Sequence, residues 1–454
     1  MTGTPAYDDA PDLVVRDVTV VDVEAGAHRP ARDVWVAGGR ITRIEPTAAD
    51  DPPPASARVV DGAGRYLIPG LFDCHVHIAF NGFLGVESDF RRTLKQMLVH
   101  GVTQAVDFFT AGGHFPGSAA DRVRDDVNEG RFLGPWLLTS YGCLNAPGGF
   151  CSCSVGDAAS VVVTMDDVRE QIDRITAANP DFVKIVYDDV FGTLPNLSPD
   201  LLAALIDEAH RRGYRAAVHI ATVDDASVAV GCGADIIGHG VIDPMPPELL
   251  ARMADAGTIL IPTLASYESR SLPRWRISLP PAAPPDSVAQ YQRQHRSIYE
   301  IKDQIDDYAR AYEEACANLG PLLDAGVTVV AGSDAGTWYT FPGDALHREL
   351  AIYAEQGLAP ARVLRMATID AARAFDLADR FGTVTEGKDA NLVLLGADPL
   401  ADIAAVRAID AVVLRGRLLD LDALRADITA PHEAPPAEID EEVCSPHHLR
   451  TSVH

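Results

Sequence analysis

The sequence predicts an α/β fold, namely a (β/α)8 TIM-like barrel with a small β-sandwich domain built from both chain ends. Eight strand-like apolar runs alternate with helical stretches through the middle of the chain, and eight such repeats favour a barrel over an open sheet. Valine-rich runs before and after this region are typical of a second, smaller β domain. Metal-seeking side chains follow several of the apolar runs, and a barrel gathers the carboxyl ends of its strands at one face.

The small domain is predicted from two separated segments, residues 1–66 and 379–426. The first contains DLVVRDVTVVDV and RDVWVAGGRITRI, in which a Gly-Gly pair signals a hairpin. The second contains DANLVLLGADP and AIDAVVLRGRLLD. The barrel, residues 67–378, is then inserted between them. Residues 427–454 are rich in proline and charge and are predicted to be a surface tail.

The barrel strands are predicted at runs that end in polar or turn residues. In chain order these runs read YLIPGLFDCHVH, TQAVDF, WLLTSY, FVKIVY, YRAAVHI, DIIGHG, TILIPTL and VTVVAGSD. One of the intervening helices has clear end signals, because Ser198 can cap it, Pro199 suits its first turn and Gly213 suits its end.

Composition excludes several classes of partner. Hydrophobic residues make up 47% of the chain and charged residues 23%, as in ordinary globular proteins. The net charge of −27 disfavours nucleic acid and anionic membrane, which reward basic surfaces. No signal segment opens the chain and no apolar run approaches the length of a membrane span. We expect a cytoplasmic protein that acts on a small-molecule substrate, and a homo-oligomer stays open.

The cysteines do not predict a disulfide framework. There are seven, an odd number, and no secretory signal precedes them. Cys151 and Cys153 are too close in sequence for a zinc knuckle. We therefore expect Cys143, Cys151 and Cys153 to be loop thiols without a catalytic role.

Four histidines and one aspartate end predicted strands. His75 and His77 close the first run, and the period of two along a strand places both on one face. His219 and His239 end AAVHI and DIIGHG, and Asp334 ends VVAGSD. Singly, each could be a helix cap or a polar loop residue. Together, at the strand ends of one barrel, they predict a metal site.

Lys184 lies within the apolar run FVKIVY. An unpaired ammonium is costly to bury, and burial favours the neutral amine. A cationic lysine beside divalent ions would be repelled, so a modified, anionic form is the better physical fit. The alternative is a lysine that extends along the barrel rim into solvent.

At this point the chain resembles the amidohydrolase superfamily, near its imidazolonepropionase-like and Xaa-Pro dipeptidase-like branch. The resemblance covers about residues 13–420 and rests on VDGAGRYLIPGLFDCHVHI, FVKIV, AAVHI, GHG, VVAGSDAG and MATIDAARAF with FGTVTEGKDANLVLL. It implies a site for two divalent ions, usually Zn²⁺. The residues so implied are His75, His77 and Asp334 for the first ion, His219 and His239 for the second, and carboxylated Lys184 as the bridge.

The resemblance also implies the chemistry. A metal-activated hydroxide attacks a carbonyl carbon, and Asp334 carries the proton from the attacking water to the leaving nitrogen. The predicted function is that of a binuclear metal-dependent amidohydrolase that cleaves an amide-type C–N bond in a small molecule or an N-acyl amino acid. An Xaa-Pro-type dipeptidase is the main alternative. A cyclic amide, carbamate or lactone hydrolase, a deaminase and a catalytically silent scaffold stay open.

Three departures from the family pattern concern the substrate. Dipeptidase-like relatives follow the lysine with a Gly-Gly turn, where this chain has Tyr187-Asp188-Asp189. Phe150 stands where many relatives have a loop histidine. Phe150, Tyr187 and Tyr267 could shape an aromatic substrate pocket or simply pack in the core. Thr222 stands where one-metal deaminases carry a glutamate, which disfavours deamination.

Overall fold

The structure is a computed structural model, and it describes residues 13–48, 53–78, 90–108, 122–151, 160–271, 302–337 and 340–430. The strands are β1 Leu13–Asp22, β2 Ala27–Ala37, β3 Arg40–Pro46, β4 Arg58–Asp61, β5 Tyr66–Pro69, β6 Leu71–Val76, β7 Val102–Asp107, β8 Trp136–Thr139, β9 Cys143–Asn145, β10 Ser160–Val161, β11 Val183–Val186, β12 Ala216–His219, β13 Ile236–Gly238, β14 Ile259–Ile261, β15 Thr328–Val329, β16 Leu392–Leu395, β17 Ile409–Leu414 and β18 Arg417–Leu418. The helices are α1 Phe90–Val99, α2 Val123–Asn128, α3 Met165–Thr176, α4 Pro199–Arg211, α5 Val223–Gly231, α6 Pro247–Ala256, α7 Leu264–Ser271, α8 Lys302–Ala317, α9 Leu319–Asp324, α10 Asp344–Glu355, α11 Pro360–Met366, α12 Ile369–Ala374 and α13 Leu421–Thr429, and a 3-10 helix covers Ile403–Arg407.

Strands from both ends of the chain form one sheet. Its order is β18-β17-β16-β5-β1-β2-β3, with β4 paired to β1. The early and late strands meet where β16 pairs antiparallel with β5. Alternate residues of these strands, including Val18, Val20, Leu392 and Val413, pack in a core of their own. The predicted contribution of both chain ends is therefore seen, whereas a two-layer sandwich stays a prediction.

Parallel strands form the larger part of the fold. One sheet has the order β10-β9-β11-β12-β13-β14-β15, and another has β6-β7-β8. Backbone hydrogen bonds link the two sheets on both sides. Asp334 N donates to His75 O at 2.8 Å, and Asp181 N donates to Thr139 O at 2.9 Å. The result is a curled α/β sheet in which strand follows helix, and its central residues are almost wholly buried apolar side chains.

Helix α4 has the ends that the sequence predicts. Ser198 Oγ accepts a hydrogen bond from Leu201 N at 3.3 Å, and Pro199 is the first helical residue. Gly213 adopts a φ of 81°, which ends the helix in a conformation that side chains rarely tolerate. This prediction is confirmed.

Helix α13 continues beyond the predicted start of the tail. It runs to Thr429, and Ile428 is fully buried. Lys95 of α1 pairs with Asp427. The boundary predicted at residue 427 therefore falls inside a helix that packs on α1, and residues 431–454 lie outside the described residues.

The expectation about cysteines was wrong at one pair. Cys143 and Cys151 form a disulfide. Gly149 N donates to Ala146 O at 3.0 Å, so the chain turns between them and brings the two thiols together, a short-range pairing that a cysteine count does not reveal. Cys153 lies outside the described residues. Within the described part of the chain, no helix is long and apolar enough to cross a membrane.

Candidate metal centre

His75, His77 and Asp334 form a cluster of potential metal ligands. One ligand atom from each lies within 4.8 Å of the others. His77 Nε2 is 3.1 Å and His75 Nε2 is 3.6 Å from Asp334 Oδ1. The loop that carries Asp334 passes so close to β6 that a Cβ at Gly336 would lie 2.1 Å from His77 O. Glycine at that position therefore allows the aspartate to reach the two imidazoles.

Lys184 reaches the same cluster from β11. A Cβ at Gly238 would lie 3.3 Å from both Lys184 Nζ and His75 Cε1, so the two side chains converge beside β13. The Lys184 amine lies over the Phe108 ring at 4.7 Å, and the His75 ring stacks on the same phenylalanine at 3.9 Å. The Lys184 amine and the His75 ring therefore both pack against the Phe108 ring.

Three buried nitrogen atoms in this cluster make no hydrogen bond within the described part of the chain. Both ring nitrogens of His75 and the Nζ of Lys184 are buried and have no hydrogen-bond partner among the described residues. Buried polar groups are normally satisfied, and a bound ion or water is one way in which such an exception is resolved. Nitrogen and carboxylate donors of this kind suit a divalent ion such as zinc. The residues present therefore fit a metal site.

His219 and His239 complete the group of six predicted ligands. Their rings are 4.2 Å apart, and the His239 ring is 4.7 Å from that of His75. His219 Nε2 lies 3.0 Å from Asp188 Oδ2, and His239 Nδ1 lies 2.7 Å from Thr263 Oγ1. The ring nitrogens not used in these contacts are Nδ1 of His219 and Nε2 of His239, and these are the atoms available to ligate.

Burial and neighbouring charge set the protonation of the cluster. Burial lowers the pKa of Lys184 to about 7, so a large fraction of the amine is neutral near neutral pH. Burial likewise holds the pKa values of His75 and His239 well below the usual value. Burial alone would raise the pKa of Asp334, but the hydrogen bond with His77 and the charges of nearby cations hold it well below its usual range. Neutral imidazoles and an ionised carboxylate are the forms that bind metal.

The Asp334 carboxylate is held by its second oxygen. Oδ2 accepts from Ser266 Oγ at 2.7 Å and from Thr337 Oγ1 at 2.9 Å, and Arg270 Nη2 lies 3.4 Å away. Oδ1 is the atom that faces His75 and His77. The two hydroxyls therefore fix the orientation of the carboxylate and direct Oδ1 toward the cluster.

The three aromatic residues predicted for the pocket have different positions. The Phe150 ring is 5.1 Å from His219. Tyr267 donates its hydroxyl to Gly240 O at 3.0 Å, and its ring is 6.5 Å from His239, so it backs the site. Tyr187 is buried three residues after Lys184, and the charged groups that act on it include Asp225 of α5. Its backbone N donates to His219 O at 2.9 Å, and a role for the Tyr187 side chain in a substrate pocket stays a prediction.

Sequence reasoning did not single out the residues that support the ligands. These are Asp188, Thr263, Ser266, Thr337 and Asp73. The only visible signal was Asp188, an acidic residue where the resemblance led us to expect a glycine turn. Thr263 and Ser266 look like ordinary residues before and within a helix.

Comparison with known proteins gives the class of this one. Residues 66–419 match the amidohydrolase family, and the chain therefore belongs to that family of hydrolases. It is similar to an uncharacterized protein of Mycobacterium tuberculosis, with 27% identity over 401 residues that cover 85% of this chain and 92% of that protein.

The chain is also similar to two proteins with other named activities. Adenine deaminase 3 of Rhizobium meliloti is 24% identical over 424 residues, which are 92% of this chain and 60% of that enzyme. The solved structure of a Xaa-Pro dipeptidase with methionine bound in its active site superimposes with a TM-score of 0.74 at 19% identity, over 90% of this chain and 99% of that chain. The structural likeness shows a shared fold.

Proposed function

We propose that this protein is a binuclear metal-dependent hydrolase that cleaves an amide-type C–N bond in a small molecule or an N-acyl amino acid. The observation that carries the proposal is the cluster of His75, His77 and Asp334, beside which lie the rings of His219 and His239 and the amine of Lys184. The buried nitrogens of His75 and Lys184 make no hydrogen bond among the described residues. A closed (β/α)8 barrel, which the links on both sides of the curled sheet support, would place these residues at its carboxyl face.

The ligands divide into two groups by position. His75, His77 and Asp334 would hold one ion, and His219 and His239 the other. Lys184 would bridge them as a carbamate, because a neutral amine can attack carbon dioxide, form an N–C bond and release a proton. The pKa of about 7 makes that neutral amine accessible, and the resulting anion suits a position between two cations. When bound, such ions supply Lewis acidity that strengthens water as a nucleophile and polarises a carbonyl.

Asp334 would move the proton in this reaction. It would accept a proton from the attacking water and pass it to the leaving nitrogen. Ser266 and Thr337 donate to its Oδ2, and either hydroxyl can rotate from donor to acceptor when a proton arrives at that oxygen. The carboxylate can thus be protonated and deprotonated without changing its orientation.

A dipeptidase specific for Xaa-Pro peptides is the second candidate, supported by the structural likeness described above. The aromatic ring of Phe150 lies against His219 and would form an apolar wall for a substrate bound there, which favours the first candidate. Deamination is disfavoured by Thr222, which caps α5 through a hydrogen bond from Asp225 N at 3.1 Å and offers no acid there.

Metal analysis followed by a substrate screen tests the proposal. We expect about two equivalents of divalent metal in the purified protein and metal-dependent release of a free amine from N-acyl amino acids or aryl amides. Preferential cleavage of Xaa-Pro dipeptides would select the second candidate. Release of ammonia with about one equivalent would indicate a deaminase, and absence of stoichiometric metal would overturn the proposal.

A further inference from the structure

Asp188 is held rigidly at the end of β11. Its side chain is nearly buried, and its Oδ1 accepts a hydrogen bond from Val190 N at 2.7 Å. Its Oδ2 lies 3.0 Å from His219 Nε2. While Oδ1 accepts this bond from the turn, Oδ2 faces the imidazole of His219.

The chemistry of the pair determines which ring nitrogen carries the proton. An ionised carboxylate only accepts hydrogen bonds, so the nitrogen that faces it must be protonated. Neutral His219 therefore carries its proton on Nε2 and presents the lone pair of Nδ1. The centroid of the His219 ring lies 5.1 Å from that of Phe150 and 4.2 Å from that of His239, and these two neighbouring rings limit rotation of the His219 ring.

We propose that Asp188 is a positioning residue that fixes the tautomer and the orientation of His219 so that Nδ1 is the ligand atom. The inference rests on the proposed function, because it takes His219 as a metal ligand. A carboxylate that accepts from the far nitrogen of a ligating histidine increases the basicity of the ligand and preorganises the site. Asp188 touches neither substrate nor the reacting atoms in this role.

Metal affinity provides the first test. In competition with a chelator, we expect Asp188→Ala to weaken binding of the second equivalent of Zn²⁺ about 10–100-fold. Asp188→Asn should lose less, because the amide oxygen still accepts a hydrogen bond. Asp189→Asn is the matched control, since it removes the same charge one residue away and Asp189 contacts Gly192 N instead. Wild-type affinity in Asp188→Ala, or an equal loss in Asp189→Asn, would overturn the proposal.

The tautomer of His219 in the metal-free full chain provides the second test. Ring ¹⁵N shifts, assigned with His219→Gln, should show the Nε2–H form in the wild type and in Asp189→Asn, and a mixed or Nδ1–H form in Asp188→Ala. If Asp188→Ala does not fold, Asp188→Ser takes its place. An unchanged tautomer in the variant would refute the positioning role. If the wild type binds no metal, the proposed function fails, whereas this measurement still decides the role of Asp188.

Discussion

Ser333 donates its hydroxyl to Asp73 Oδ2 at 2.6 Å, although the two residues lie 260 positions apart in the chain. Ser333 N also donates to Asp73 Oδ1 at 2.9 Å. Asp73 precedes His75 by two residues and Ser333 precedes Asp334, so this contact joins the segments that carry the first three ligands. The buried carboxylate thus acts as a clamp between β6 and the loop after β15.

Loss of the clamp should destabilise the protein. Ser333→Ala leaves a buried carboxylate oxygen without its hydroxyl donor, which we expect to lower the free energy of unfolding by about 1–3 kcal/mol. Urea denaturation of the metal-free protein measures it. Ser271→Ala is the control, because Ser271 Oγ donates to Glu268 O within its own helix, and we expect a change within about 0.5 kcal/mol. Equal changes in the two variants would contradict the clamp.

Glu349 predicts a pH dependence of stability. Its carboxylate accepts from Leu264 N at 2.9 Å and from Ala265 N at 2.6 Å, at the start of α7. Burial nevertheless raises the pKa of Glu349 from 4.5 to about 8. The folded protein therefore binds more protons at this residue than the unfolded chain. Its contribution to stability is present below about pH 4.5 and is lost as the pH rises through about 8.

Comparison of wild type with Glu349→Gln isolates this effect. The free energy of unfolding of the wild type minus that of the variant should fall by up to about 1.4 kcal/mol per pH unit as the pH rises. Denaturation of the metal-free proteins between about pH 5.5 and 8.5 measures this difference. The buried histidines contribute equally to the pH dependence of the free energy of unfolding in both proteins, so their contributions cancel in the difference. Parallel pH curves would show that Glu349 does not change its protonation on folding.

His219→Ala should remove one metal ion and most activity. We expect about a hundredfold loss of turnover or more, because the Lewis acid contributes several kcal/mol to the transition state. His210→Ala is the matched control, since His210 is partly exposed and pairs with Asp235 at 2.7 Å. We would measure the activity and the metal content of both variants. Thermal unfolding verifies that each variant is folded. Retention of both metal equivalents in His219→Ala would contradict its assignment.

Lys184→Met tests the bridge. Methionine fills the space of the aliphatic chain but cannot form a carbamate, so we expect about a hundredfold loss of activity and partial recovery on addition of a short carboxylate such as propionate. Lys184→Ala should behave in the same way. Lys95→Met, which breaks a surface pair with Asp427, serves as the control. Near-wild-type turnover of either Lys184 variant without added carboxylate would rule out the bridging role.

Phe150→Ala tests the apolar wall of the pocket. Removal of an aromatic contact with the substrate should raise KM for aryl substrates about tenfold, with less effect on small polar substrates. Phe191→Ala is the comparison variant, because Phe191 is an exposed apolar side chain. Steady-state kinetics on a matched pair of aryl and alkyl amides measures the selectivity. An equal rise in KM for both substrates would indicate a general loss of site geometry.

The predicted ligands could be found from sequence because each lies within an apolar strand or in the few residues after one. Alternation along β6 places His75 and His77 on one face, and parallel strands end at one edge, so local patterns and topology suffice. Asp188, Ser333 and Glu349 could not be found in this way. The groups that they contact lie in other segments of the chain. In addition, the residue type alone does not show whether a polar or acidic side chain is buried or exposed.

The pairing of β5 with β16 has a consequence for biosynthesis. Strands β1 to β5 emerge early from the ribosome, but one edge of β5 stays open until β16 has been translated. Nascent chains fold by units from the amino end, yet here the first unit cannot be finished before the parallel sheet has been made. An unpaired strand edge invites association with other chains. We therefore expect fragments that stop short of residue 392 to depend on chaperones or to aggregate.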